Sequence, residues 1–198
     1  MTGKDTPLPL RTFIAIELPP EVKDLLTRIQ AGLESRASGR ITWTTPELMH
    51  LTLRFTGNIE EQQVRVVADT IERATQGVKG FNLTTGGIGA FPGLKNPELI
   101  YLGLDDSCRL TALSDRINAV TSPGTGGPKR PALIKKYRPH LTLCRVRRKG
   151  RINGLSDFAE SFTGTGRVTF NVSEVVLFKS DLMGKTPVYT ALRRIELG

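Results

Sequence analysis

A chain of 198 residues, 38% of them hydrophobic, has enough apolar side chains for a packed core, built as one large domain or two small lobes. No apolar run approaches the roughly 18 residues that cross a bilayer, and the first eleven positions contain no continuous hydrophobic stretch of signal-peptide type. The expectation is a cytoplasmic protein without a membrane segment.

The formal net charge is +9, and its distribution says more than its size. Positions 129 to 151 hold ten basic residues (Lys129, Arg130, Lys135, Lys136, Arg138, Arg145, Arg147, Arg148, Lys149 and Arg151) and no acidic one. The remainder is close to neutral, with 18 basic against 19 acidic residues. Such a concentration suits a polyanionic partner bound in a salt-sensitive way, although a solvated basic face gives the same count. The two cysteines, Cys108 and Cys144, lack C-x-x-C spacing, so they read as reduced thiols rather than zinc ligands. No Walker-type glycine cradle and no acidic cluster suited to Mg²⁺ is present, so neither cofactor nor metal is expected.

In chain order, residues 12–18 read as an apolar strand. Pro19 and Pro20 then open a helix whose Val22, Leu25, Leu26, Ile29 and Leu33 recur at helical spacing. Strands follow at 41–44 and 49–55. Asn58-Ile59-Glu60-Glu61 resembles a capped helix start, with Val64, Val67, Ala68 and Ile71 as the buried face. A strand at 81–89 and the turn Phe91-Pro92-Gly93 close the first half. The second half repeats the order: strand 99–104, helix 110–120 with Leu113 and Ile117 inward, strand 138–146 and short helix 155–162. Strands at 168–171, 175–179 and 188–195 end the chain. This predicts one domain over 1–198 built as a duplicated unit, with pseudo-repeats at about 11–92 and 97–196. Residues 122–130, rich in Gly and Pro, read as a mobile loop bordering the site.

The only two histidines occupy identical tetrapeptides, His50-Leu51-Thr52-Leu53 and His140-Leu141-Thr142-Leu143, 90 residues apart. Six further matches at about one in ten each have a chance probability on the order of one in a million. In a strand, alternation sends His and Thr to one face and both leucines to the other. Two such strands brought together would surround one ligand with two imidazoles and two hydroxyls. Imidazoles serve as acid and base near neutral pH, while threonine hydroxyls donate to phosphate oxygens. Arg54 shares the parity of His50, and Arg138 that of His140, so both are candidates for phosphate contact or for plain solvation.

At these residues the sequence resembles the two-histidine (2H) phosphoesterase superfamily, and within it the RNA 2′,3′-cyclic phosphodiesterases, historically named 2′-5′ RNA ligases. The resemblance runs through Arg11-Thr12-Phe13-Ile14-Ala15-Ile16-Glu17-Leu18-Pro19-Pro20, Trp43 to Leu53, Gly89-Ala90-Phe91-Pro92 and Arg138 to Arg145. It implies a bilobal α+β, LigT-like fold of two antiparallel sheets flanked by helices around a central cleft. It also implies hydrolysis of an RNA terminal 2′,3′-cyclic phosphate to a 2′-phosphomonoester, and 2′-5′ joining of some tRNA halves; a monomer is expected. On it His50 is assigned as the acid that protonates O3′ and His140 as the base that activates water, with the reverse order left open. Arg145 matches a frequent family arginine, yet alternation sends it to the leucine face unless the strand bulges there. Phe55, Phe91 and Tyr137 are candidates for the aromatic near the nucleobase, with Phe55 assigned to the core by parity. Two further readings stay open: a cyclic phosphodiesterase for a small nucleotide such as ADP-ribose cyclic phosphate, and a non-catalytic module that binds RNA ends.

Overall fold

The computed structural model describes residues 8–105, 108–121, 137–162, 166–182 and 186–198. The expected loop 122–130 and the cations Lys129, Arg130, Lys135 and Lys136 lie outside the described residues. Apolar alternation produces strands β1 (Leu10–Glu17), β2 (Ala37–Ser38), β3 (Ile41–Trp43), β4 (His50–Ile59), β5 (Phe81–Phe91) and β6 (Leu99–Asp105). Later in the chain come β7 (His140–Val146), β8 (Arg151–Ile152), β9 (Thr169–Val172), β10 (Glu174–Asp181) and β11 (Val188–Glu196). Helical periodicity produces α1 (Pro20–Glu34), α2 (Val64–Thr75), α3 (Cys108–Val120) and α4 (Leu155–Ser161). None of the helices is long and apolar enough to cross a membrane, among the described residues.

The strands form two antiparallel sheets, ordered β11-β10-β1-β4 and β3-β7-β6-β5-β9, plus the short pair β2-β8. The two orders match over four strands, with β3 an addition beyond β7: β4 lies beside β1 as β7 lies beside β6, with each histidine on the outer member of its pair. The third strand, however, crosses over. β5 follows the first motif in sequence but pairs with β6, and β10 follows the second motif but pairs with β1. The helices cross as well. α3 packs on β4 while α2 lies against α3 and β11, and α4 packs against β5. A Cβ at Gly32 of α1 would meet the Phe158 ring of α4 at 2.7 Å, so α1 joins α4 on the five-stranded layer. Each sequence half thus contributes to both lobes, and one continuous core, from Ile14 and Leu26 to Leu102 and Ile117, ties them together. Burying each of these large side chains contributes about 1.5–3 kcal/mol.

One expected boundary moves. Residues 58 and 59 do not start a helix, because Arg11 and Leu10 of β1 pair with Asn58 and Ile59 and so extend β4. The capping box sits two residues later, where Gln63 Oε1 accepts from the Glu60 backbone N–H at 2.9 Å.

Candidate active site

Both motif strands carry the same irregularity. Thr52 pairs with Ala15 and Arg54 with Ile14, which leaves Leu53 without a partner on β1. Thr142 pairs with Tyr101 and Cys144 with Ile100, which leaves Leu143 in the same position. A β-bulge at the second leucine of each motif therefore resets the side-chain alternation that follows it. Up to the bulge, parity holds: Leu51, Leu53, Leu141 and Leu143 are buried, and the histidines and threonines project from the opposite, core-distal face. The two motif strands come into contact with each other across the cleft between the sheets. The Tyr137 hydroxyl, just ahead of the second motif, donates to the carbonyl of Thr52 in the first at 3.1 Å.

Each imidazole is held in the same way. His50 Nδ1 lies 2.7 Å from the Leu48 carbonyl, and His140 Nδ1 lies 2.8 Å from the Arg138 carbonyl, in both cases two residues back. A carbonyl only accepts, so Nδ1 carries the hydrogen and the neutral ring presents the lone pair of Nε2. The rings are also fixed by aromatic neighbours. His50 tilts against Phe13 at 4.7 Å between centroids and meets Tyr189 edge-on at 5.3 Å. His140 meets Phe91 edge-on at 5.3 Å and Tyr101 at 5.4 Å. Burial lowers the pKa of His50 below its ordinary value of 6.5, against the upward pull of the Leu48 carbonyl. A hollow of about 300 Å³ opens beside His50, lined by Phe13, Lys23, Glu47, Phe178 and Tyr189. The hydroxyls of Thr52 and Thr142 are half-buried on the same faces as the histidines. Each motif thus presents one imidazole, held through Nδ1, and one threonine on the same face of its strand.

The arginines fall out differently from the parity reading. The bulge turns Arg54 to the core side with its partner Ile14, and there Nη1 donates to Asn118 Oδ1 at 2.7 Å and Nη2 to the Thr121 carbonyl at 3.4 Å. Arg54 is thus engaged with the end of α3 rather than placed on the face that carries His50. Arg138 precedes β7 with an exposed side chain, and its contribution to the site is the backbone carbonyl that orients His140. Arg145, by contrast, pairs with Leu99, which shares the parity of Tyr101 and Gly103, so the bulge brings it to the His140 face. Phe55 occupies the equivalent position in the first motif. It is 63% exposed and lies 6.1 Å from Phe13, which overturns its assignment to the core. Phe91 stacks on Tyr101, and Tyr137 spends its hydroxyl on Thr52.

Sequence reasoning missed Gln30. Buried in α1, it donates from Nε2 to the carbonyls of Thr44 and Leu143 at 2.8 Å each, the latter at the apex of the second bulge. A buried amide among α1's apolar positions was the available signal. Gln30→Met is expected to lower stability by about 2 kcal/mol, because the Thr44 carbonyl loses its donor. Urea unfolding checks this, and a loss under about 0.5 kcal/mol would show that water replaces the amide.

The family model described as LigT like Phosphoesterase matches residues 16–101 and 113–189. Among curated relatives, the RNA 2′,3′-cyclic phosphodiesterase of Thermotoga maritima is 34% identical over 139 residues, covering 70% of this chain and 71% of the relative. The protein of the same name from Methanothermobacter thermautotrophicus is 27% identical and covers 95% and 99%. Among solved structures, one from Thermus thermophilus superposes with a TM-score of 0.74 at 25% identity, covering 95% and 98%. LigT of E. coli, crystallised with NADP⁺, shares the fold with a TM-score of 0.70 at 23% identity, covering 96% and 98%. Matched by the family model on both motif strands and sharing the relatives' architecture end to end, the chain belongs to the LigT-like phosphoesterase family.

Proposed function

We propose that this protein hydrolyses the 2′,3′-cyclic phosphate at an RNA 3′ end to a 2′-phosphomonoester. The observation that carries this reading is the matched presentation of two imidazoles, each with Nδ1–H on a carbonyl and no partner on Nε2 among the described residues, from strands that meet. The names of the relatives supply the substrate class. One imidazole takes a proton from water as its oxygen attacks phosphorus, and the other protonates O3′ as the P–O3′ bond breaks. Thr52, Thr142 and Arg145 stabilise the charge on the non-bridging oxygens. Burial keeps His50 neutral near pH 7, which favours it as the base and His140 as the acid. This is the reverse of the order first assigned on resemblance. Phe55 offers its exposed ring to the nucleobase. With a 5′-hydroxyl in the place of water, the same site joins RNA ends, such as tRNA halves, through a 2′-5′ linkage.

The proposed reaction draws both proton transfers from side chains and needs no metal. Incubation with a cyclic-phosphate-ended oligonucleotide in EDTA is expected to give a 2′-phosphate product at an undiminished rate. ADP-ribose cyclic phosphate run in parallel tests the small-nucleotide reading. Retention of intact substrate with tight binding would leave only an RNA-end-binding module.

A further inference from the structure

Beyond the histidines, β7 leads into a second feature, most of which the proposed reaction does not use. A hollow of about 820 Å³ is lined by Lys95, Arg145, Arg147, Arg148 and Arg151, with Glu98 as the one carboxylate among its lining residues. Arg145 belongs to both regions. Because of the bulge, His140 and Arg145 pair with Gly103 and Leu99, four strand steps apart, so at about 3.3 Å per step their backbones stand roughly 13 Å apart along β7. Its long side chain is able to bridge part of that gap, whereas the cations after it lie beyond the reach of a lone nucleotide seated at the histidines. None of these five cations takes part in an ion pair among the described residues.

The turn that displays them is clamped. The Arg147 N–H donates to the Arg40 carbonyl at 2.9 Å, and the Gly150 N–H to the Arg147 carbonyl at 2.7 Å. Lys149 takes a left-handed φ of 68°. Gly39, itself at φ +73°, lets the β2–β3 turn close over it, since a Cβ there would lie 2.0 Å from the Lys149 carbonyl. A fixed turn of three consecutive cations, Arg147, Arg148 and Lys149, repels itself, and a bound polyanion relieves that repulsion.

The geometry points to this hollow as a subsite for the RNA strand on the 5′ side of the cyclic phosphate, holding successive backbone phosphates. It rests on the RNA reading proposed above and deepens it, because it separates a strand from a small nucleotide. The cations past Arg145 lie beyond one nucleotide, and spaced anions match a row of guanidinium groups.

The test uses a fluorescent RNA of ~8 nucleotides, within the usual span of single-strand grooves, ending in a 2′-phosphate. Its affinity is measured by anisotropy across a salt series for wild type, Lys95→Ala/Arg148→Ala and the charge-preserving Lys95→Arg/Arg148→Lys. Loss of two phosphate contacts is expected to weaken binding about tenfold and to flatten the slope of log K against log[salt] by about 1.4. The charge-preserving pair restores both. Turnover of a mononucleoside 2′,3′-cyclic phosphate by the alanine pair is expected to match wild type within about twofold, as exposed charges more than a Debye length, about 10 Å at 0.1 M salt, from the ligand are largely screened. Unchanged affinity and slope, or an equal loss on the mononucleotide, overturns the subsite. The binding measurement does not depend on turnover. Wild-type enzyme inert toward every cyclic phosphate would therefore sink the catalytic reading, while the subsite would still stand or fall on anisotropy.

Discussion

Alanine at His50 or His140 is expected to lower kcat/KM on a cyclic-phosphate-ended RNA by about 10²- to 10⁴-fold, the usual contribution of one positioned acid or base. Because the two groups act in one step, the double variant should lose little more than the worse single variant. The pH profile separates the roles. A neutral His50 is needed if it is the base, and burial holds its pKa below 6.5, so the acid side of the profile should rise with pH through a midpoint below that value. In His50→Ala the rising limb should vanish from the residual activity. Were His50 the acid, the same lowered pKa would make activity fall as pH rises, starting below 6.5. A rising limb that survives in His50→Ala would falsify the base assignment.

The site could be read from sequence as far as local alternation reaches and no further. Repetition of His-Leu-Thr-Leu located both imidazoles, and strand parity put the four leucines in the core. Parity failed one residue past the motif in both copies, because a bulge is a property of two strands in register. Nothing in Leu53-Arg54 or Leu143-Cys144 announces that β4 and β7 each carry an extra, unpaired residue there against β1 and β6. The carbonyls that orient the imidazoles were equally hidden. Leu48 and Arg138 have nothing in common as side chains, and only their backbone oxygens serve. At the level of the fold, periodicity gave strands and helices in nearly the right places. Chain order showed the repeat of strands and helices but not that β5 and β10 cross to the opposite sheet. Pairing partners depend on which apolar faces remain uncovered after collapse, and a linear pattern does not encode that.

The bulge makes a prediction that parity alone would invert. Simple alternation puts Arg54 at the phosphate and Arg145 on the leucine face, while the observed register puts Arg145 with His140 and Arg54 against α3. Arg145→Ala is therefore expected to reduce kcat by about 10²- to 10³-fold, as loss of one charge-stabilising donor does, with the unfolding midpoint unmoved. Arg145→Lys should recover only part, since a point charge replaces a planar two-pronged donor. Arg54→Met should do the opposite. It removes the donor to Asn118 and Thr121 and is expected to lower stability by about 1–3 kcal/mol, while the refolded fraction turns over substrate near the wild-type rate. Parallel urea titrations and steady-state kinetics on the two variants distinguish the cases. A large kinetic loss at Arg54 with full activity at Arg145 would mean that the bulge does not set the face these arginines present to the substrate.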